Sequence, residues 1–267
     1  MRALYLLLGD PVAHSRSPDI HARAFAVLGV DAVYAPCRVA AAELPAALAG
    51  LKALGVAGFN VTVPHKEQMA RMVSSIDPAA NRIGAVSCVT RDFAGHNTDA
   101  PGLLRALRAH GIDPGGARAV VVGAGGAARA AAWALSGVAA RVTILNRTES
   151  KARALAALVG AAGCAADAAA LDATGPLREA SLVVQCTSIG LGSDEMPFDP
   201  SILRADCALV DLVYAPKGPS ALLRAFGGRA VDGIDVLVHQ AIASLEIWLQ
   251  RPQLDHLAPL LRAAALA

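Results

Sequence analysis

Three features that would assign the chain to a membrane, to secretion or to nucleic acid are missing from its 267 residues. The longest alanine-rich stretch, at 160–171, carries Asp167 and lacks the large side chains of a membrane span. The apolar run at the start reaches Gly9 too early for a signal peptide. A net charge of +2 without a basic block argues against nucleic acid as the main partner. We therefore expect no membrane segment, no leader and no nucleic-acid site.

Closely spaced metal ligands and paired cysteines are missing as well. The five cysteines are scattered, odd in number and form no C-x-x-C pair, and the seven histidines show no close ligand spacing. Such cysteine usage is typical of a reducing cytosol. We predict a cytoplasmic protein without a bound metal.

What the sequence does contain is an alternation of buried strands and amphipathic helices. The apolar pattern predicts strands at 4–8, 33–39, 58–63 and 83–90, and helices from Ser17, at 42–54 and from Lys66 to about Val73. Ser17 is expected to cap its helix, with Pro18 in the first turn. The alternation predicts the α/β class, with a parallel sheet covered by helices on both faces.

The stretch 58–66, Gly-Phe-Asn-Val-Thr-Val-Pro-His-Lys, has the pattern of a strand that leads directly into a helix. Asn60 and Thr62 alternate with apolar residues, so their side chains share one face at the strand's carboxyl end. With Lys66 beside them, this is the usual position of a ligand site in an α/β sheet. The alternative is that Lys66 is a solvated lysine after a turn. Asp99 is predicted to open a later helix, either as a cap or as a functional acid.

A second region begins after Pro114-Gly115-Gly116. A strand rich in valine ends in Gly123-Ala124-Gly125-Gly126-Ala127-Ala128 and is followed by an alanine-rich helix. The spacing G-x-G-x-x-A between a strand and a helix is typical of dinucleotide binding, because the glycines allow a pyrophosphate to approach the helix N-terminus.

The end of the next strand indicates which dinucleotide is bound. An NAD site places a carboxylate there, whereas this chain has Asn146, Arg147 and Thr148, with Lys151 one turn further on. Basic and hydroxyl side chains would hold a 2′-phosphate, so the prediction is NADP. The alternative is a basic surface turn. Further strands are predicted at 181–185, 208–213 and 229–231, before an apolar helix at 234–249.

Taken together, these segments resemble the shikimate dehydrogenase family along essentially the whole chain. The resemblance is carried by 9–18 (GDPVAHSRSP), 58–66 (GFNVTVPHK), 83–86 (IGAV), Asn97-Thr98-Asp99, 123–127 (GAGGA), Asn146-Arg147-Thr148 and Gln240-Ala241. It implies a substrate-binding domain of residues 1–101 completed by helices within 237–267, a Rossmann NADP-binding domain of residues 102–236, and a cleft between them.

The resemblance also implies a role for each matching residue. Lys66 and Asp99 would be the catalytic pair. Ser15 and Ser17 would bind the substrate carboxylate, and the remaining substrate contacts would come from Asn60, Thr62, Ser87, Tyr214 and Gln240. The cofactor would be bound by Gly123, Ala124, Gly125, Gly126, Ala127, Asn146, Arg147, Thr148, Lys151, Thr187, Ser188, Val213 and Gly233.

The implied activity is the reversible, NADP-dependent reduction of 3-dehydroshikimate to shikimate by a monomer or homodimer. Three departures from the family pattern leave an alternative open. Ser87-Cys88 replaces Asn-Thr, Gln185-Cys186-Thr187 replaces Asn-Ala-Thr, and Tyr214-Ala215-Pro216 replaces Tyr-Asn-Pro. A related enzyme acting on quinate, an amino analogue or another ring acid would fit these changes. A non-catalytic NADP-binding protein and a folate- or tRNA-linked reductase are further alternatives.

Overall fold

The computed structural model describes residues 2–214 and 218–267. The chain divides into two compact units: Met1–Gly102 with Leu237–Ala267 forms the first unit, and Leu103–Val236 forms the second. Ala215 and Pro216, which belong to the third departure from the family pattern, lie outside the described residues. No helix in the described ranges is long and apolar enough to cross a membrane.

Strands and helices alternate through most of the described chain. The strands are β1 (Ala3–Gly9), β2 (Ala32–Arg38), β3 (Gly58–Val61), β4 (Ser75–Ile76), β5 (Cys88–Thr90), β6 (Ala94–His96), β7 (Arg118–Val122), β8 (Arg141–Leu145), β9 (Ala165–Ala169), β10 (Leu182–Gln185), β11 (Ala208–Asp211) and β12 (Arg229–Val231). The helices are α1 (Ser17–Leu28), α2 (Leu44–Leu54), α3 (Lys66–Met69), α4 (Pro78–Ile83), α5 (Asp99–Ala109), α6 (Gly126–Ser136), α7 (Glu149–Ala161), α8 (Thr174–Glu179), α9 (Ala221–Phe226), α10 (Gly233–Leu249) and α11 (Ala258–Leu266).

The first unit contains a six-stranded sheet in the order β2-β1-β3-β5-β6-β4. Its first three strands are parallel, as the alternation predicts. β5 is antiparallel to both β3 and β6, so the sheet is mixed. Phe59 and Val61 of β3 pack into a core with Leu6 and Leu8, which leaves Asn60 on the opposite face of the strand.

Three local predictions in the first unit are wrong. Ser17 is the first residue of α1, and the cap position is Arg16, so Ser17 does not cap the helix. α3 ends at Met69 rather than near Val73, because the chain continues in hydrogen-bonded turns and Ser74 then bonds to the carbonyl of Phe93. The strand expected at 83–90 begins only at Cys88.

The residues before β5 form a helix because both of its ends are well capped. The Asp77 carboxylate accepts hydrogen bonds from the amides of Ala79 and Ala80, and Pro78 occupies the first turn. Gly84 ends the helix with a φ of 69°, in the left-handed region that glycine adopts easily. Ile83 therefore belongs to α4 and is buried there.

The second unit contains a fully parallel sheet in the order β12-β11-β10-β7-β8-β9. This is the doubly wound order of dinucleotide-binding domains. Ala119 and Val121 pack into a core on one face of the sheet, while Val120 and Val122 pack into a core on the other. β9 was not predicted, since its sequence Ala-Ala-Asp-Ala-Ala has no β-branched residue. Its pairing with β8 makes it a strand.

Candidate active site

Lys66 and Asp99 form an ion pair in the first unit. The Lys66 Nζ lies 2.5 Å from Asp99 Oδ2, and the two side chains are only 13% and 16% exposed. Lys66 is the first residue of α3, which follows β3 after a short turn, and Asp99 is the first residue of α5. A charge-assisted hydrogen bond of this length, held in a largely buried position, fixes an ammonium group beside a carboxylate.

The amino end of α5 is held by side chains of the segment just before it. The Asn97 Oδ1 accepts hydrogen bonds from the amides of Asp99 and Ala100, both at 3.1 Å, and its Nδ2 donates to the carbonyl of Ala85. The amide of Val86 in turn donates to the carbonyl of Lys66. These bonds tie the backbone at both members of the ion pair to the same short segment.

Gly102 allows α5 to approach α10 closely. A Cβ at Gly102 would lie 2.7 Å from the Cβ of Gln240 and 2.8 Å from its backbone nitrogen. Any side chain at this position would therefore force the two helices apart. Because Gly102 follows Asp99 by about one helical turn, Gln240 packs against α5 one turn away from Asp99.

Asn60 is the centre of a buried polar network. Its Oδ1 accepts a hydrogen bond from the Tyr34 hydroxyl at 2.9 Å, and its Nδ2 donates to the Ser87 carbonyl at 3.0 Å and to Ser244 Oγ at 2.9 Å. Both amide hydrogens of Asn60 are thus used inside the protein. The Asn60 Oδ1 can accept one more hydrogen bond. A hydrogen bond between the substrate and Asn60 therefore stays a prediction for this oxygen alone.

Ser87 has a protein partner in the position predicted to face the substrate. Its side chain is 1% exposed. Its Oγ accepts from the amide of Thr98 at 2.8 Å and lies 3.0 Å from Thr98 Oγ1. The direct substrate contact of Ser87 stays a prediction; in the structure its short side chain is turned towards Thr98.

The other predicted substrate residues lie in the same unit, apart from Tyr214. The Oγ of Ser15 accepts from the amide of Ser17 at 3.2 Å. A Cβ at Gly9 would lie 2.3 Å from Thr62 Cγ2, so the loop before Ser15 passes directly beside the end of β3. The Gln240 Nε2 donates to the carbonyl of Leu237. Tyr214, in the second unit, is half-buried and directly precedes residues outside the described ranges.

The glycine-rich loop of the second unit has the predicted strand–turn–helix form. Gly123 follows β7 with a φ of 116°, where a Cβ would lie 3.3 Å from the backbone of Cys186. Gly125 caps α6, and apart from its neighbours along the chain no heavy atom of the described residues lies within 4 Å of the position of its Cβ. Ala124 packs on the core, and Gly126 and Ala127 form the first turn of α6. The free backbone amides of that turn are suited to a phosphate group.

Gln185 organises the neighbouring loop at the end of β10. It is fully buried, its Oε1 accepts from the amide of Thr187 at 2.7 Å, and its Nε2 donates to the carbonyls of Thr187 and Ile189. Gln185 stands where the family pattern has asparagine. Its side chain is longer, and its amide group still holds the loop. Thr187 is half-buried and Ser188 is exposed.

The loop after β11 is held by a buried carboxylate. Asp211 accepts a hydrogen bond from the Ser220 hydroxyl at 2.5 Å and another from the amide of Val213 at 3.0 Å. Burial raises the pKa of Asp211, and these two hydrogen bonds oppose that shift. A Cβ at Gly233 would lie 2.6 Å from the Leu212 carbonyl oxygen, so the start of α10 packs directly on this loop.

The predicted 2′-phosphate residues lie on the surface after β8. Arg147, Thr148 and Lys151 are exposed, and the Asn146 Nδ2 donates to the carbonyl of Thr148. Glu149 is bonded to Arg153 at 2.7 Å. The nearby carboxylate is thus paired with another cation, and the basic side chains that follow β8 are accessible to an anion.

The sequence did not lead us to predict four residues that contact the buried network of the first unit. They are Tyr34, Thr98, Ser244 and His21. Ser244 carries a weak signal, as a hydroxyl in an otherwise apolar helix. His21 is fully buried, and neither of its ring nitrogens has a hydrogen-bond partner within the described residues. Its ring stacks on Tyr34 at 4.2 Å. Burial lowers the pKa of His21 to about 3, with the Asn60 side chain opposing the shift, so His21 is neutral.

Comparison with known proteins covers both units. Residues 7–89 match the family described as the shikimate dehydrogenase substrate binding domain, and residues 106–190 match the one described as shikimate / quinate 5-dehydrogenase. The chain is 44% identical over 256 residues to the shikimate dehydrogenase (NADP(+)) of Anaeromyxobacter sp. (strain K), covering 94% of this chain and 92% of that protein.

Solved structures show the same fold. The shikimate 5-dehydrogenase of Thermus thermophilus, in complex with NADP(H) and shikimate, is 35% identical with a TM-score of 0.86 and 98% of each chain covered. The ligand-free 5-ketofructose reductase of Gluconobacter sp. strain CHM43 is 32% identical with a TM-score of 0.85, covering 99% of this chain and 98% of that one.

Proposed function

Since the chain belongs to the shikimate dehydrogenase family, we propose that it is an NADP-dependent alcohol dehydrogenase that interconverts 3-dehydroshikimate and shikimate. The observation that carries this proposal is the largely buried ion pair of Lys66 and Asp99. A lysine paired with a carboxylate can protonate a carbonyl oxygen, which supports this assignment. A protein that only bound NADP would have no need of such a pair.

The chemistry of ketone reduction explains why these two residues are needed. NADPH supplies the hydride when it is bound, and negative charge develops on the ketone oxygen. Lys66 donates a proton or a hydrogen bond to that oxygen, while Asp99, 2.5 Å away, orients the ammonium group. In the reverse direction the same pair removes the proton from the hydroxyl.

Substrate recognition is assigned to the first unit. Ser15 and Ser17 bind the carboxylate, with Thr62 nearby, and Asp99, Gln240 and the oxygen of Asn60 hydrogen-bond the ring hydroxyls. Hydroxyl and amide groups reject analogues that lack a hydroxyl far better than an apolar pocket does. Tyr214, in the second unit, is named as a substrate contact by the family resemblance alone.

Cofactor binding is assigned to the second unit, and its residues fit NADP. The space beside Gly125 and the first turn of α6 accommodate a pyrophosphate, and the exposed side chains of Arg147, Thr148 and Lys151 pair with the 2′-phosphate. The ion pair of Glu149 with Arg153 supports NADP over NAD, because it keeps the nearby carboxylate occupied. The remaining contacts come from Gly123, Thr187, Ser188, Val213 and Gly233.

Location and assembly complete the proposal. All five cysteines are free thiols, which supports a reducing, cytoplasmic compartment. We place the protein there as a monomer or homodimer, and light scattering on the purified protein measures which of the two forms.

Initial rates with shikimate and with quinate, each combined with NADP⁺ and with NAD⁺, test this function. We expect the highest kcat/KM for shikimate with NADP⁺. A higher value for quinate would transfer the assignment to the related ring acid, and equal rates with both cofactors would refute the role given to Arg147.

A further inference from the structure

Ser87 is the start of a chain of buried hydroxyl groups that links two elements of the first unit. Its Oγ lies 3.0 Å from Thr98 Oγ1, which lies 3.2 Å from Ser244 Oγ, which lies 3.0 Å from the carbonyl oxygen of Gln240. Thr98 and Ser244 are both fully buried. The chain therefore runs from the segment before β5, past the residue next to Asp99, to α10.

Counting protons fixes the direction of these bonds. Ser244 has one hydroxyl proton and donates it to the Gln240 carbonyl, so its contact with Thr98 requires Thr98 to donate. Thr98 then has no proton left, so its contact with Ser87 requires Ser87 to donate. Ser87 Oγ also accepts from the amide of Thr98 at 2.8 Å. Every contact has one donor and one acceptor.

This arrangement uses the donor capacity of Ser87 completely. Its proton goes to Thr98 Oγ1, and one of its lone pairs receives the Thr98 amide. The residue is only 1% exposed, and its hydroxyl is turned towards Thr98. The bond that Ser87 accepts from the Thr98 amide instead fixes the Asn97–Thr98 peptide unit, one residue before Asp99, and thereby helps to hold the carboxylate that contacts Lys66.

We propose that Ser87 is a positioning residue in this chain: through Thr98 and Ser244 it fixes the backbone at Asp99, and with it the Lys66–Asp99 pair, rather than binding the ring of the substrate. The proposal rests on the function assigned above only for the choice of substrate. It differs from the role that the family resemblance implies for this position, where a longer amide side chain contacts the ligand.

Two kinetic variants test it. In Ser87→Ala the Thr98 amide loses its acceptor and the Thr98 hydroxyl oxygen loses its donor, so we expect kcat to fall roughly 10-fold while KM for shikimate changes less than about 2-fold. Thr98→Val, which keeps the side-chain shape but has no hydroxyl, should lower kcat similarly, whereas Thr98→Ser should restore it. A rise in KM with unchanged kcat for Ser87→Ala would make Ser87 a ligand and overturn the proposal.

Thr90→Val is the matched control for loss of a hydroxyl in the same sheet. The Thr90 Oγ1 also accepts a backbone amide, that of Ala94 at 3.2 Å, but it does so at the turn between β5 and β6 rather than beside Asp99. This variant should lose stability without losing kcat. If it lowers kcat as much as Ser87→Ala does, the effect is one of general destabilisation and the proposal fails.

A double variant separates positioning from stability. Because Ser87 acts through Asp99, adding Ser87→Ala to Asp99→Asn should reduce the residual kcat no further. Independent losses that multiply would contradict the proposal.

Amide hydrogen exchange gives a readout that needs no substrate. In Ser87→Ala the Thr98 amide should exchange faster by a larger factor than the amide of Thr62, which bonds to the Leu8 carbonyl. Equal acceleration at both amides would overturn the proposal. If the unmodified protein instead fails to turn over shikimate, the proposed function fails while this exchange test still decides the role of Ser87.

Discussion

The candidate residues of the two units differ in their surroundings. In the first unit, the site is made of side chains that are buried and bonded to one another: Lys66 to Asp99, Asn60 to Tyr34 and Ser244, and Ser87 to Thr98. In the second unit, the candidate cofactor residues are a glycine-rich turn with open space beside its backbone and a set of exposed basic side chains. The first arrangement suits a reaction that tolerates little displacement, and the second suits a large phosphate-bearing ligand.

This difference has a consequence for mutational sensitivity. A side chain removed from the buried network leaves a partner without its hydrogen bond, which costs more than the bond itself was worth. A side chain removed from the exposed turn after β8 leaves only water. We therefore expect variants of the first unit to affect catalysis and stability, and variants of the second to affect cofactor binding with little change in stability.

The largest effect is expected at Lys66. Lys66→Ala should lower kcat and kcat/KM by about 10²–10⁴-fold, the usual contribution of general acid–base catalysis, with KM for NADP⁺ unchanged. Lys66→Arg should not restore the rate, since guanidinium does not release its proton near neutral pH. Steady-state kinetics measure this, with the exposed Lys52 as control: Lys52→Ala should stay within about 2-fold. Near-normal kcat in Lys66→Ala would show that the ion pair with Asp99 is structural rather than catalytic.

A pair of glycines compares the two units directly. Gly102→Ala would place a Cβ 2.7 Å from Gln240, so it should reduce the free energy of unfolding by about 1–3 kcal/mol. In Gly125→Ala the new Cβ meets no heavy atom of the described residues within 4 Å apart from its neighbours along the chain, so the melting temperature of this variant should be unchanged or slightly raised. The new methyl group would nevertheless occupy the space assigned to the pyrophosphate, so KM for NADP⁺ should rise.

Thermal unfolding and cofactor titration of both glycine variants measure this contrast. A Gly125→Ala protein that binds NADP⁺ normally would show that the space beside α6 is not used by the cofactor. A Gly102→Ala protein as stable as the unmodified chain would show that α5 and α10 can separate at no cost.

The last effect concerns His21, whose contribution to the free energy of unfolding changes with pH. Its pKa is about 3 in the folded protein, against 6.5 in an exposed histidine, so only the unfolded chain takes up a proton between these values. The contribution of His21 to stability is complete above pH 6.5 and is lost as the pH falls towards 3. The loss is up to about 1.4 kcal/mol per pH unit.

Denaturant unfolding at about pH 7.5 and about pH 5 checks this value against His21→Phe, which keeps an aromatic ring against Tyr34 but cannot titrate. Between these pH values the unmodified protein should lose about 2 kcal/mol more than the variant. Parallel pH dependence in the two proteins would show that His21 is already accessible to protons in the fold.

How far the sequence predicts these features depends on the distance between interacting residues. The β7–glycine–α6 segment was predicted closely, because its strand, turn and helix signals are local. The partners of Asn60 were not, since Tyr34 lies 26 residues away and Ser244 lies 184 residues away. Position 87 was assigned to the ligand by resemblance, and the bond between its Oγ and the Thr98 amide, 11 residues away, was not predicted.

Errors in secondary structure have the same origin. β9 consists of alanine and aspartate, and only its pairing with β8 makes it a strand. α4 was not predicted: only its last residue, Ile83, fell within a predicted strand, although the segment carries both a cap at Asp77 and a terminating glycine at Gly84. Side-chain burial and cross-strand pairing decided these cases, and neither is visible in a single sequence.

Calorimetric titration of two variants with two ligands tests the division of labour between the units most directly. Ser15→Ala should weaken the binding of shikimate and leave that of NADP⁺ unchanged, whereas Arg147→Ala should weaken the binding of NADP⁺ by about 1.5–3 kcal/mol and leave that of shikimate unchanged. Loss of NADP⁺ affinity in Ser15→Ala, or of shikimate affinity in Arg147→Ala, would contradict it.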